Sequence, residues 1–188
     1  MKAKRRIVVG VTGSIACYKA AEVVSKLAQS GYRVDVVMTR AAQEFVRPLT
    51  FETLSRNRVV TDLFESKVEH DPEHVALAAA ADIVLVAPAS ANIIGKIAAG
   101  IADDALSTLI MAARCPILIA PAMNDAMYEN PVVQRNIDDL KKLGYLFVEP
   151  EKGYLACGRE GVGRLAPLES ILGALEAALK NRKKARRP

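Results

Sequence analysis

The chain has 188 residues, 51% of them hydrophobic and 25% charged, with 5% aromatics and no tryptophan, the balance of one globular domain with a full core. Its longest apolar runs, 83–89 and 117–123, each hold a proline and fall far short of the ~20 residues that span a bilayer, so a transmembrane helix is not expected. The formal net charge of +5 sits in the tails, with four Lys or Arg in residues 1–6 and six in residues 180–188, leaving 16 basic against 21 acidic residues between them, which argues against a nucleic-acid partner.

The composition also predicts basic tails at 1–6 and 180–188, the latter a natural end or a linker stub, around one domain at 7–179. No cleavage site follows the basic start, so a cytoplasmic location is expected. Three cysteines without CxxC spacing argue against a disulfide framework or a zinc site, and no metal is expected.

In chain order, a predicted strand Ile7–Val11 runs into Gly10-Val11-Thr12-Gly13-Ser14-Ile15-Ala16, a glycine turn that opens a helix Ser14–Gln29. Free N–H groups and the helix dipole there suit a phosphate. The turn has neither P-loop nor G-x-G-x-x-G spacing, and Ser14 as a plain N-cap is the competing reading. The second strand, Arg33–Met38, ends in Thr39-Arg40, where an NAD enzyme usually carries an acidic residue. NAD is thereby disfavoured, Arg40 leaves NADP open, and Thr39 suits a helix N-cap.

His70 and His74 are four residues apart, a spacing that suggests a metal pair. Pro72 fits the first helical position with Asp71 as its cap, which leaves His70 outside the helix. His74 then falls in the first turn, where the dipole favours a neutral ring able to act as base or hydrogen-bond partner; an ordinary surface histidine is the alternative.

Strands Ile83–Ala87 and Ile117–Ala120 both lead through proline to asparagine, in Pro88-Ala89-Ser90-Ala91-Asn92 and Pro121-Ala122-Met123-Asn124. Small side chains let a flat ligand approach the backbone, while Ser90, Asn92 and Asn124 offer uncharged donors and acceptors. Helices are expected at Ala91–Ala99, Asp104–Ala113, Val132–Leu143 and Leu168–Leu179, with a further strand at Tyr145–Val148. Four of the 11 glycines fall within 153–163, a pattern read as a flexible flap able to close over a substrate. Within it, Cys157 near Arg159 is expected to be an accessible thiol with its thiolate favoured, whereas Cys17 and Cys115 read as packing.

Strand and helix alternate throughout, which predicts a single-domain, doubly wound α/β fold, flavodoxin-like or Rossmann-like, with a parallel sheet and a ligand at the carboxyl ends of its strands. The loops together suit a phosphorylated planar cofactor. Residues alone would leave an NADP-binding oxidoreductase as the reading.

Five segments in one order, Gly13-Ser14-Ile15-Ala16, His74-Val75-Ala76-Leu77, Pro88 to Asn92, Pro121-Ala122-Met123-Asn124-Asp125-Ala126-Met127, and Ala156-Cys157-Gly158-x-x-Gly161-x-Gly163-Arg164, resemble the flavin-dependent cysteine decarboxylases over nearly the whole chain, in the branch that serves coenzyme A biosynthesis. The resemblance implies bound FMN, its phosphate near Gly13, Ser14, Ile15 and Thr39. It also implies a ring framed by Ser90, Asn92 and the segment holding Asp103, Leu106 and Ser107. It makes His74 the catalytic histidine, gives the substrate carboxylate to Asn124 within a binding stretch of Ala122 and Met123, adds Arg164 to the substrate site, and makes Cys157 the proton donor of the last step. Tyr128, Val75 and Leu165 stand where the family commonly has tryptophan, isoleucine and methionine.

The implied reaction is decarboxylation of 4′-phosphopantothenoylcysteine to 4′-phosphopantetheine through thioaldehyde and enethiol intermediates, with no net redox change. Members of the family are commonly trimers or multiples of trimers, and in many bacteria a phosphopantothenate-cysteine ligase domain follows, so a homo-oligomer and a fused or separate ligase are expected partners. Rival readings are a peptidyl-cysteine decarboxylase, which would stop at the enethiol, a flavin prenyltransferase, and a catalytically silent flavin-binding regulatory subunit.

Overall fold

The computed structural model describes residues 5–63 and 73–185. Near-continuous Val, Ile and Leu runs form a six-stranded parallel sheet from β1 (Arg6–Val11), β2 (Arg33–Met38), β3 (Val59–Val60), β4 (Ile83–Ala89), β5 (Ile117–Pro121) and β6 (Leu146–Phe147). The strand order is β3-β2-β1-β4-β5-β6, so the direction of winding reverses between β1 and β4. A crevice opens there at the carboxyl ends of the strands.

Both faces of the sheet are covered, as an all-parallel sheet requires. Side chains alternate along β1: Ile7, Val9 and Val11 join one core, Val8 the other. The first core packs α1 (Cys17–Gln29), α3 (Pro48–Ser55) and α9 (Leu168–Ala185), with Phe51 of α3 fully buried. The second packs α4 (Glu73–Ala80), α5 (Ala91–Ala98), α6 (Ala105–Ala112) and α8 (Pro131–Lys142). Two short helices, α2 (Arg40–Gln43) and α7 (Asp125–Tyr128), follow β2 and β5. No described helix is long and apolar enough to cross a membrane.

Several boundaries differ from the sequence reading. Helix α1 begins at Cys17 rather than Ser14, because the intervening residues form a turn in which the Ser14 N–H donates to Thr12 O (2.8 Å) and the Cys17 N–H to Ser14 O (2.9 Å). Arg6, assigned to the tail, is the first residue of β1 and donates to buried Asp35 through Nε at 2.6 Å and Nη2 at 3.2 Å. Helix α9 continues past Leu179 to Ala185, so the basic stretch from 180 is helical over most of its length.

The expected flap is an antiparallel hairpin, β7 (Glu151–Tyr154) with β8 (Glu160–Arg164). Its root is seated: the Met123 N–H donates to Gly163 O at 2.9 Å. Gly163 has φ +148°, and a Cβ there would lie 2.3 Å from Met123 O. Glycine at that position serves close approach rather than mobility.

Candidate functional site

The crevice is a cleft of about 1270 Å³. The turn after β1 and the loops after β2, β4 and β5 form its wall, and the hairpin contributes Tyr154 to Cys157, Gly163 and Arg164. Thr12 ties two of these loops together. Its buried hydroxyl donates to Pro88 O at 2.7 Å and accepts from the Ser90 N–H at 2.9 Å. Gly13 permits the next contact, since a Cβ there would meet the Ala41 Cβ at 2.5 Å.

Most of the expected residues come together. Gly13, Ser14, Ile15, Thr39, Ser90, Asn92, Ala122, Met123, Asn124, Cys157 and Arg164 all line the cleft. The Ser14 Oγ accepts from the Ala16 N–H at 3.3 Å rather than capping α1. Thr39 caps α2 through the Ala42 N–H at 3.3 Å, and Ser90 caps α5 through the Ile93 N–H at 3.5 Å. The helix-cap reading of Thr39 therefore holds beside its place in the cleft wall.

Asn124 caps α7, with Oδ1 accepting from the Ala126 N–H at 3.0 Å. This fixes the amide so that Nδ2 donates to Cys157 Sγ at 3.5 Å. An exposed thiol of the hairpin and a fixed amide of the sheet end thus meet at one point of the cleft. Cys17, by contrast, is buried, and burial pushes its thiol pKa up.

Three expected cofactor contacts do not reach the cleft. Leu106 and Ser107 are fully buried: Leu106 fills the space beside Gly10, where a Cβ would come within 2.5 Å of its Cδ1. Ser107 closes a capping box with Asp104, accepting from the Asp104 N–H at 3.0 Å. Asp103 points outward and accepts from Lys96 Nζ at 2.6 Å. Asp104 lines the cleft in their place and accepts from the same ammonium at 2.8 Å. Burial pushes Asp104 up, but its bonds from Lys96 and Ser107 outweigh that and hold it below the usual carboxylate range.

His74 occupies the second position of α4, and its side chain lies outside the described residues, as do His70, Asp71 and Pro72. Sequence reasoning missed Thr12, and it held Asp104 only as part of the segment Asp103 to Thr108, without singling it out. A hydroxyl between Gly10 and Gly13 at a strand end was the available signal for Thr12, but its partner lies 76 residues away. Near the hairpin root, burial and the neighbouring Arg164 charge lower the Lys19 pKa against the pull of Glu151 and Glu22.

The Flavoprotein family profile matches residues 1–180. The chain is 51% identical over 172 residues to the coenzyme A biosynthesis bifunctional protein CoaBC of Bacillus subtilis, covering 92% of this chain and 42% of that protein. It therefore spans less than half the length of its bifunctional relatives. It is 44% identical over 180 residues to a probable phosphopantothenoylcysteine decarboxylase of Streptococcus mutans, covering 93% of this chain and 99% of that one. Among solved structures it superposes on the FMN-dependent cysteine decarboxylase SpaF with a TM-score of 0.83 at 35% identity, covering 96% and 98% of the two chains. A PPC decarboxylase variant complexed with pantothenoylaminoethenethiol gives a TM-score of 0.85 at 29% identity, covering 95% and 100%. With the family profile spanning nearly all of its residues and full-length relatives matched end to end, the chain belongs to the Flavoprotein family, among the flavin-dependent cysteine decarboxylases.

Proposed function

We propose that this chain is an FMN-dependent decarboxylase that converts 4′-phosphopantothenoylcysteine to 4′-phosphopantetheine and carbon dioxide in coenzyme A biosynthesis. The observation that carries the reading is the 3.5 Å approach of Asn124 Nδ2 to Cys157 Sγ, which brings an uncharged amide donor and an exposed thiol within reach of one bound molecule. A peptidyl-cysteine decarboxylase stops at the enethiol and has no use for that thiol. The full-length S. mutans relative supports the coenzyme A reading by its name, and a structural neighbour by its bound pantothenoylaminoethenethiol.

The cleft suits FMN by size and chemistry. A drug-sized ligand fills roughly 300–1,000 Å³, so about 1270 Å³ admits a cofactor and a substrate together. Uncharged hydroxyls of Ser14 and Thr39, with Arg40 beside them, line one part, and small or apolar groups such as Ala91, Ala122 and Ile15 line the rest. In this proposal Gly13, Ser14, Ile15 and Thr39 hold the phosphate, while Ser90 and Asn92 hold the ring. Asp103 and Ser107 act from behind the wall by orienting Lys96 and Asp104, and Leu106 by packing against Gly10. FMN, when bound, supplies a reversible two-electron acceptor.

The chain's own residues then divide the work. Asn124, in a stretch with Ala122 and Met123, binds the substrate carboxylate through its amide N–H. Arg164 adds positive charge for the anionic substrate. His74 acts as a neutral base toward the reacting cysteine unit, and Cys157 delivers a proton to the enethiol carbon in the closing reduction.

Homo-oligomerisation as a trimer or a multiple of trimers fits the exposed Phe45 and Leu49, which share an apolar groove beside the cleft. The fused relatives point to a phosphopantothenate-cysteine ligase as a joined or separate partner. The cytoplasmic location expected from sequence belongs to the same proposal. A visible spectrum of the purified protein should show bound flavin, and a carbon dioxide assay should show turnover of phosphopantothenoylcysteine. Flavin-free protein with full turnover, or flavoprotein with none, would overturn the reading.

A further inference from the structure

We propose that Asp125 and Arg159 form a latch between α7 and the hairpin tip, and that these two positioning residues hold Cys157 against Asn124. Asp125 lies under β8, where a Cβ on Gly161 would fall 2.6 Å from its Cβ and 2.7 Å from its Oδ2. Its Oδ1 is shut off from solvent and accepts no hydrogen bond, a condition that folded proteins rarely leave uncorrected. Arg159 Nη2 stands 3.9 Å from that oxygen, a small movement beyond hydrogen-bond range.

The same guanidinium lies two residues from Cys157 in the tip turn, and interaction with Cys157 and Asp125 favours its charged form. A guanidinium presents five N–H donors in a planar fork. One arginine can therefore hold Cys157 Sγ and Asp125 Oδ1 at once, and closing the remaining gap satisfies the orphan oxygen.

The position of the latch makes it consequential. Leu155 N–H to Arg159 O (2.8 Å) and Gly158 N–H to Leu155 O (3.0 Å) close the tip turn on itself. They do not tie it to the sheet. Asn124 touches Cys157 at 3.5 Å, and its neighbour Asp125 stands 3.9 Å from Arg159. Two consecutive residues at the start of α7 thereby face two residues of the tip, Cys157 and Arg159.

The consequence for proton delivery rests on the function proposed above, so the test has two independent readouts in the holoprotein. Hydrogen exchange of peptides covering 153–164 reads the latch whether or not the protein decarboxylates. Arg159→Gln and Asp125→Asn should each speed exchange at the tip about 2- to 5-fold, the range of an exposed ion pair. The double variant should be no faster than either single one. Salt at 1 M, with a screening length of about 3 Å, should speed the wild-type tip and leave the variants unchanged. In single turnovers the share of oxidised enethiol product should rise by the same factor, while carbon dioxide release and KM stay within about twofold.

Additive effects, or exchange indifferent to Asp125→Asn, would overturn the latch. So would carbon dioxide release that falls in step with the product share. If Asp125→Asn fails to fold, Arg159→Gln at its exposed position and the salt response still decide. A wild-type protein that released no carbon dioxide would overturn the function instead, and the exchange cycle would still judge the latch.

Discussion

The wall of the cleft and the hairpin above it are built on opposite terms. The wall is held by fully buried strands and by a buried threonine that joins two loops through bonds of 2.7 and 2.9 Å. The hairpin is largely exposed, with its root bonded to the Met123 loop and its tip bonded mainly to itself. Groups that must keep a fixed geometry sit on the first; the thiol proposed to act last sits on the second. In that proposal, preorganised binding and late proton delivery are thus separated along the chain.

That division can be broken from either side. The largest effect is expected at the wall: Asn124→Asp puts a carboxylate where the proposal places the substrate's own, and turnover should fall at least 100-fold, measured as carbon dioxide release. The folded flavoprotein should survive, because aspartate caps a helix as well as asparagine does. Cys157→Ser should act on the hairpin alone. Carbon dioxide should still appear in a single turnover, while mass spectrometry finds a product two hydrogens lighter than 4′-phosphopantetheine as the main species. Saturated product at the normal rate would reduce Cys157 to a bystander.

Thr12→Val tests whether the wall owes its rigidity to the buried hydroxyl. It leaves Ser90 N–H and Pro88 O without that partner, and urea unfolding should show a loss of about 1–3 kcal/mol, with a matching fall in flavin affinity. The smallest effect is acid sensitivity. Asp104 titrates below its ordinary value in the fold, so its contribution is full above the unfolded carboxylate pKa and disappears as pH falls through the folded one. The stability advantage of wild type over Asp104→Asn, measured by urea unfolding across an acid pH series, should be full at pH 7 and shrink as pH falls through the depressed folded pKa of Asp104.

Much of the wall was legible. A glycine turn after an apolar strand, and two strands that end in proline and then asparagine, announced both the sheet and its functional edge, and Ser14, Thr39, Ser90, Asn92 and Asn124 do line one cleft. What escaped depended on tertiary contacts. Leu106 and Ser107 look available in sequence but face inward on α6, and nothing local says which side of that helix meets the sheet. The two-residue strand β3 carries no periodicity to detect, and α3 fully buries a single large hydrophobic residue, Phe51. The glycines at 161 and 163 read as freedom when their neighbours Asp125 and Met123 make them steric necessities.

Those two glycines have a consequence for how the protein can diversify. Because β8 lies flush against the Met123–Asp125 segment, side chains cannot be added at 161 or 163 without remaking the loop after β5. The five-residue turn from Leu155 to Arg159 closes on its own bonds and is free of that constraint. Variation in the turn must still keep Leu155, which is buried, together with Cys157 and Arg159, so the exposed Ala156 beside the thiol is the rational position for adapting the turn to a bulkier thiol substrate.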